Sequence, residues 1–592
     1  MRPIAERRRN GATLFVLVPA LLILVTTVVL ALVGMGYKPE KVTIVRTSTK
    51  VPVPVFSQSS GFYGNGLRLS LSTTHRGAKI YYTTDGSRPT FDSEIYTGPV
   101  LIQEKIDEPN KLSEIKTAPV FNYPLYNVYK GTIVRAITAL NDSVISEEAR
   151  ASFFVHPKGR ERYSLPVISL VTDADSLFGY KAGIYVGGAT ADDKDFYIRN
   201  SIKIDDTRRG FPANYKRRGQ QWYRPVTLDF FEEGSNKGFH VKAKVGIHGN
   251  ASREQQHKSL KVILENNGQI KELIYPVFSP TKPDTLSSFV LRSSSQDRHS
   301  TMFRDALLQS FVKGYTQLDI QEYRPTIMFI NGEYWGINNI RHRYDEYYFQ
   351  HKYRIPQDSL AIVGVKSNLG GTELTVDQRV GRVILGVEGD QKPYHALLAY
   401  IRSHDLSNLA FYQYVTKQID IDNFIDYLLA ELYYANQDWP NSNLQMWRYK
   451  VPMGASEKVY YKDGRWRWML MDIDNGFLKG KHSYNMVSRV LKSEQLGPLF
   501  SALLKNPAFR NKFFERAEYH LSHTFEVNRV IAEINAKQQR IMPEIKEHLE
   551  RWRTPASVKV WEKEVESLRE FARKRPEYLK KELEKLRQQF IS

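Results

Sequence analysis

Two side chains in the second half of the sequence, Asp438 and Asn443, are separated by four residues. In catalytic loops that transfer phosphate, an Asp accepts the proton of a hydroxyl group, and an Asn at this spacing holds a magnesium ion. The spacing also occurs by chance, because an Asp in such a position can form an Asx turn or a helix cap. The pair therefore leaves a catalytic loop and a local turn as alternatives.

A second acidic pair, Asp472 and Asp474, follows the apolar segment 466–471, which is predicted to be a strand. Two carboxylates at one strand end repel each other unless a cation lies between them. Hard oxygen ligands of this kind suit Mg²⁺. The chain has no Cys, which excludes disulfides, thiol nucleophiles, Cys-ligated zinc and iron–sulfur clusters. Together the acids favour metal-dependent phosphate transfer.

Cationic side chains around a turn could bind the phosphate. The segment Gly249-Asn-Ala-Ser-Arg253 precedes Lys258 and Lys261. Gly, Asn and Ser in a turn expose backbone N–H groups, and Arg and Lys add positive charge for an anion. The alternative is a β-turn followed by exposed lysines.

The elements that must position these residues are predicted from about residue 160 to the end. Apolar alternation predicts strands at 164–170, 222–231, 240–247, 258–264 and 324–330, and Asn331-Gly332 predicts a hairpin turn. Beyond about residue 340 the pattern is mostly helical, with a charged tail that Trp552 and Trp561 should anchor. We therefore predict an α+β domain of two lobes with a cleft between them. Asp305, near a predicted helix start, could act only as a charge stabiliser there.

A smaller unit is predicted at 55–157. Segments such as 67–72, 78–84 and 132–138 alternate with the period of half-buried strands, and turns separate them. An antiparallel β-sandwich with its own core is expected.

The N-terminus predicts a membrane segment. Residues 11–36 are almost entirely apolar and follow Arg2 and Arg7–Arg9, and a helix of that length crosses a hydrocarbon layer of about 30 Å. The positive-inside rule then leaves residues 1–37 as a cytoplasmic end plus signal anchor and places the rest outside the cytoplasm. Residues 38–54 are read as a stalk. The alternative is a cleaved signal peptide and a secreted protein.

Charge limits the choice of partners. Lys and Arg number 84 against 64 Asp and Glu, a net charge of +20, which would suit an anionic surface or an acidic substrate. No zinc-finger spacing or RNA-binding aromatic signature accompanies that charge, so we do not expect nucleic acid as a partner.

The motifs at 249–253, 258–261, 304–305, 331–336, 438–443 and 472–474 resemble the CotH (spore-coat protein H) family in order and spacing, over about 160–592. The string Tyr82-Thr-Thr-Asp-Gly-Ser-Arg-Pro-Thr90 resembles the chitobiase/β-hexosaminidase C-terminal-type domain, which implies a spacer or a module that binds a glycan or another surface.

The CotH resemblance implies an atypical protein-kinase-like fold. It implies transfer of phosphate from ATP, with Mg²⁺ or Mn²⁺, to Ser or Thr of a secreted or cell-surface protein. Carried onto this sequence, Asp438 would be the catalytic carboxylate, while Asn443 and Asp472 would be metal ligands with Asp474 as a further candidate. Arg253 with Lys258 or Lys261 would contact the nucleotide phosphates.

One departure from the family pattern is His342, where relatives often have Glu. If that Glu positions nucleotide or metal, the chain could be an inactive pseudokinase that binds or adheres at the cell surface, unless Asp345 or Glu346 substitutes. Hydrolysis of a glycan or phosphoester by the same carboxylates is a third alternative, although no separate general base is evident.

Overall fold

Short alternating segments build the first part of the structure, a computed structural model that describes residues 51–141, 144–192, 212–365, 380–451 and 459–590. The ten strands found there are β1 Val55–Phe56, β2 Gly61–Tyr63, β3 Leu67–Leu69, β4 Leu71–Ser72, β5 Lys79–Thr83, β6 Glu94–Ile95, β7 Val100–Ile102, β8 Thr132–Leu140, β9 Val144–Ile145 and β10 Ala149–Val155. They form a sheet in the order β2-β10-β8-β5-β6, with β9 beside β8, and the pairs β1-β4 and β3-β7. All the pairings are antiparallel except β2 with β10.

Two neighbouring phenylalanines of β10 belong to two different cores. Phe153 packs with Leu69, Ile80 and Val134 in a core of the small β domain itself. Phe154 instead stacks on Phe62, with ring centroids 4.7 Å apart. It also contacts Phe329 of the main domain, with ring centroids 4.6 Å apart. The expectation of fully separate cores is therefore wrong for this second face.

The first half of the main domain is β-rich, as predicted. Its strands are β11 Val167–Val171, β12 Arg224–Phe231, β13 Gly238–Ile247, β14 Leu260–Asn266, β15 Gln269–Ile270, β16 Leu273–Tyr275, β17 Asp284–Leu286, β18 Ser288–Arg292, β19 Tyr323–Ile330 and β20 Glu333–Arg341. Their order is β13-β12-β11-β19-β20-β18-β14, and β13 also pairs with β14, so that seven strands close into a ring. The Asn331-Gly332 turn between β19 and β20 has positive φ at both residues, which confirms the predicted hairpin.

Alternation along β14 and β18 sorts side chains between the two sides of this ring. Leu260, Val262 and Leu291 belong to the core of the ring. Lys261 lies opposite Val290, two positions from Arg292. Because successive side chains of a strand point to opposite faces, Lys261 and Arg292 share the outer face.

The second half is mainly helical. Together with two short helices before β12, its elements are α1 Ala174–Phe178, α2 Gly188–Ala191, α3 Arg304–Phe311, α4 Glu346–Tyr353, β21 Leu360–Gly364, β22 Arg382–Leu385, α5 Lys392–Ser403, α6 Leu409–Thr416, α7 Ile421–Tyr434, β23 Gln445–Tyr449, β24 Arg467–Met469, α8 Met486–Leu491, α9 Gly497–Leu504, α10 Pro507–Tyr519, α11 Val527–Trp552 and α12 Val558–Gln588. The four strands pair antiparallel in the order β22-β21-β23-β24. Strand β24 ends three residues before Asp472, close to the end predicted for it.

The charged tail is tied to the domain by two tryptophans, as predicted. Both are buried. The indole N–H of Trp561 donates to the carbonyl of Thr301 over 3.0 Å, and that of Trp552 donates to the carbonyl of Trp335 over 2.7 Å. Each indole N–H thus has a hydrogen-bond acceptor, while the ring packs in the core.

None of the described helices combines the length and the apolar composition that crossing a membrane requires. The anchor predicted at 11–36 lies outside the described residues.

The shared core gives the first prediction. Replacing Phe153 or Phe154 with Ala should each cost about 3–5 kcal/mol of unfolding free energy, because both rings are buried. Only Phe154→Ala should also raise hydrogen exchange in β12 and β19, since its ring contacts Phe231 and Phe329 on those strands. Equal exchange in those strands for both variants would contradict the shared core.

Candidate active site

The loop after α7 is shaped by its own polar side chains. The helix ends at Ala435, which has a φ of 49°. Asn436 then accepts a hydrogen bond from the backbone N–H of Asp438 over 3.2 Å. The Asx turn expected as an alternative for Asp438 is thus formed by Asn436, which leaves the carboxylate of Asp438 to make contacts elsewhere.

Helix α8 holds the same loop from outside. The Arg489 guanidinium donates to the carbonyls of Gln437 over 2.7 Å and of Trp439 over 2.9 Å. Because a charged donor satisfies two loop carbonyls, the loop has a fixed geometry although it is neither helix nor strand.

The loop that contains Asp438 is joined to the loop that contains Asp472. The Asn475 amide donates to the Asp438 carboxylate over 2.7 Å, and the Asn443 amide donates to the Asp472 carbonyl over 2.9 Å. A backbone bond of 3.1 Å from Gln437 to Asn475 completes the connection. Residues 29 to 38 positions apart in the chain are therefore brought to one place.

Both loops contain left-handed backbone. Asn443 has a φ of 57° and Asp472 a φ of 50°. Asn and Asp adopt this conformation more readily than most residues, but it still costs free energy, and such residues cluster at functional sites.

Arg292, at the end of β18, lies between the two acids of the 472–474 loop. Its Nη2 is 2.6 Å from Asp472 Oδ1 and 2.8 Å from Asp474 Oδ2. The side chain of Asp474 is 3% exposed, whereas that of Asp472 is 41% exposed. One guanidinium therefore contacts a buried and a half-exposed carboxylate together.

The electrostatics of this group reflect its crowding. Burial, and then the Asp472 carboxylate, raise the pKa of Asp474, although Arg292 opposes them. Burial lowers the pKa of Arg292, but Asp472, Asp305 and Asp474 raise it above its ordinary value overall. The protonated form of Arg292 is therefore stabilised, whereas the ionised form of Asp474 is disfavoured.

A second buried pair fixes the loop from behind. Asp305 of α3 forms an ion pair with Arg341 at the end of β20 and accepts a hydrogen bond from the Ile473 backbone N–H over 2.9 Å. Burial raises its pKa, but Arg341 and Arg292 outweigh burial and bring it down to about 2. Asp305 thus links α3, β20 and the 472–474 loop, which is more than the helix-end stabiliser considered from the sequence.

Two of the predicted phosphate-binding cations are used inside the fold. Lys258 is buried, and its ammonium donates to the carbonyls of Arg253 and Gln255 over 2.8 and 2.7 Å. Burial lowers its pKa well below the ordinary value. The Arg253 guanidinium donates to four backbone carbonyls, among them those of Gly249 and Ile247. Both side chains therefore shape the 249–253 turn.

Lys261 has a different environment. It is half-buried, its ammonium lies 5.4 Å from the Tyr223 ring centre, and no carboxylate among the described residues pairs with it. Burial, and then the charges of Arg292 and Lys261, lower the pKa of nearby His248 to about 3. The outer face of the ring thus presents positive charge beside the acidic loop.

The family comparison covers the part of the chain that contains these residues. The model of the CotH kinase protein family matches residues 245–579, which is more than half of the 592-residue chain. The chain belongs to the CotH family. A chitobiase/β-hexosaminidase C-terminal domain matches residues 58–107, ahead of the CotH domain. No curated protein matches the chain.

His342, interpreted from the sequence as a departure from the family pattern, is in contact with aromatic rings. Its ring centre is 4.4 Å from that of Phe278 and 5.4 Å from that of Tyr348. Burial, together with Lys352 and Arg341, lowers its pKa to about 3, so it is neutral at physiological pH. The nearby Asp345 caps α4 and pairs with Arg343, and it is therefore already engaged.

The donor set is compatible with a hard cation and a nucleotide. In the described residues, no group of three or more His, Asp or Glu is arranged as a metal site. Mg²⁺ commonly uses one or two protein carboxylates and takes its other ligands from water and substrate phosphates. The half-exposed Asp472, linked to Asn443, could supply such a partial set, with Asp474 behind it.

Sequence reasoning missed the roles of Arg292 and Asn475. Asn475 orients the Asp438 carboxylate, and Arg292 supplies the counter-charge for the acidic pair. The strand pattern of 288–292 contained a signal, because Phe289 and Leu291 point to the core and Arg292 must point the other way.

The Asp305 pair gives the second prediction. Because its folded pKa lies below the ordinary value of 3.8, its ionised form stabilises the protein above about pH 4, and this stabilisation is lost as the pH falls towards about 2. Asp305→Asn should cost about 3–5 kcal/mol at pH 7 by leaving Arg341 unpaired in the interior. Unfolding measured from pH 7 to pH 2.5 should show this difference shrinking in acid.

The exposed Asp422, which pairs with Lys512 at the surface, provides the matched control. Asp422→Asn should change stability little at any pH. A pH-independent cost for Asp305→Asn would contradict the ion-pair explanation.

Proposed function

We propose that this CotH protein is a metal-dependent protein kinase that transfers phosphate from ATP to Ser or Thr of a protein substrate. The observation that carries the proposal is the joining of the Asp438 and Asp472 loops by three hydrogen bonds. Family membership supports kinase-like activity in general. The assignment of individual residues is part of the proposal.

Each side chain of the site has a role in this scheme. Asp438, oriented by Asn475, accepts the proton of the substrate hydroxyl. Asp472 and Asn443 hold the cation, and Asp474 adds negative charge behind them. Lys261 and Arg292, on the outer face of the ring, contact the phosphates. ATP, when bound, would supply the phosphoryl group, and Mg²⁺ or Mn²⁺ would offset the negative charge of its phosphates.

A catalytically inactive surface-binding protein is the second candidate. It is favoured by the pairing of both Asp472 and Asp474 with Arg292 and by the neutral His342. In that case the site would bind a ligand without turnover.

The location proposed for this activity is outside the cytoplasm, on a single membrane anchor at 11–36. The support is the Arg-rich flank before that apolar segment. The chitobiase-type domain would then act as a spacer or bind a glycan or an anionic surface near the membrane. Release after signal cleavage is the alternative.

Phosphate transfer is tested with labelled ATP and Mn²⁺ or Mg²⁺. Asp438→Asn and Asp472→Asn should each lower self-labelling by about 100-fold or more, because each removes a charged group that acts on the reacting atoms. Asp422→Asn, at an exposed surface pair, should retain full labelling. Unlabelled wild-type protein that still binds ATP would favour the inactive candidate.

Topology is tested with fusions at the C-terminus. Alkaline phosphatase, which is active only outside the cytoplasm, should be active when fused after residue 592, and a cytoplasm-dependent fluorescent reporter should not. Moving the four N-terminal arginines to positions after residue 37 should reverse this pattern. A cytoplasmic signal from the unaltered chain would exclude the proposed location.

A further inference from the structure

Arg292 stands where a cation is needed in the proposed site. Its Nη2 contacts both Asp472 and Asp474, at 2.6 and 2.8 Å. Its side chain is 11% exposed. A divalent cation attracted to the same carboxylates would therefore compete with a guanidinium that already contacts both of them.

The Arg292 guanidinium has N–H donors that do not contact the acidic pair. Arg carries five N–H donors in a planar fork, and both of its contacts with the acidic pair use Nη2. Its Nε is buried, and the described structure gives it no hydrogen-bond partner. A buried donor without a partner costs free energy, which an incoming acceptor would recover.

Positive charge also accumulates around His248, which immediately precedes the turn at 249–253. After burial itself, the charges of Arg292, Lys261, Arg343 and Arg253 lower the pKa of His248. An anion placed among these groups would be stabilised, and Arg guanidinium matches phosphate oxygens with two parallel hydrogen bonds. Arg292 thus lies between an acidic pair and a region that favours phosphate.

We propose that Arg292 is a positioning residue that couples nucleotide binding to metal binding, and this inference depends on the proposed function. In the free protein Arg292 occupies the cation position between Asp472 and Asp474. When phosphate oxygens share the guanidinium, the hold on Asp472 weakens and its carboxylate becomes available to a divalent cation. Metal alone therefore binds weakly, and nucleotide strengthens its binding.

Coupling of this kind is reciprocal, and it typically amounts to about 5–150-fold in affinity. It would keep the half-exposed Asp472 neutralised and the site closed to metal ions until nucleotide is present. A purely structural clamp would give no such coupling.

The test measures Mn²⁺ binding without nucleotide and ATP binding without metal, in wild type and in Arg292→Gln. The variant should bind Mn²⁺ at least about 10-fold more tightly, because a competing cation is lost. It should bind ATP at least about 10-fold more weakly, because a phosphate donor is lost. Loss or weakening of both affinities, or no change in Mn²⁺ affinity, would overturn the inference.

Arg324→Gln is the matched control. Arg324, on β19 of the same ring, also lies between two carboxylates, those of Glu232 and Glu233, at 2.5 and 3.3 Å. Its loss should leave both affinities unchanged. Arg292→Lys keeps one positive charge and should fold even if Arg292→Gln does not, and it should shift both affinities in the same directions by smaller factors.

The two proposals fail in different ways. If wild type binds neither ATP nor Mn²⁺, even together, the proposed function itself is wrong. If wild type binds both and Arg292→Gln does not gain Mn²⁺ affinity, the kinase proposal stands and the coupling by Arg292 is wrong.

Discussion

The site depends on the need to neutralise Asp472 and Asp474, which lie one residue apart, one of them buried. Carboxylates so close cannot both remain ionised in a low-dielectric environment without a cation. Arg292 supplies one positive charge to this pair, and it can do so only because β18 ends where the closed ring of strands brings it to the acidic loop. The buried Asp305–Arg341 pair holds the loop from behind. The register of β18, the position of α3 and the geometry of the 472–474 loop therefore all depend on these few charged side chains.

The turn at 249–253 shows how cations serve two purposes in one region. Arg253 and Lys258 donate hydrogen bonds to backbone carbonyls and so stabilise the turn. Lys261 and Arg292 lie on the outer face of the ring and keep their charge next to the acidic loop. A CotH site of this design separates the residues that give it shape from those that could meet a ligand.

The small β domain contributes to the same scaffold. The Glu333 carboxylate, at the tip of the β19-β20 hairpin, accepts hydrogen bonds from three successive backbone N–H groups, at Lys111, Leu112 and Ser113, over 2.8–3.0 Å. The Phe154 ring completes the contact from the sheet of the small domain. The chitobiase-type domain is here packed against the core of the CotH domain, which limits its use as a freely movable spacer.

The sequence by itself determined the local elements and the candidate residues. Alternation placed five of the seven strands of the ring, Asn331-Gly332 fixed the hairpin, and motif order gave the CotH family, because these signals lie in neighbouring residues. Tertiary structure alone decided which charges meet. Lys258 and Lys261 lie in the same short segment, and the sequence does not distinguish their roles. In the structure the Lys258 ammonium donates to carbonyls in the interior, whereas Lys261 lies on the outer face of the ring. The pairing of Arg292 with Asp472, 180 positions away, depends on strand closure and burial, which local pattern does not contain.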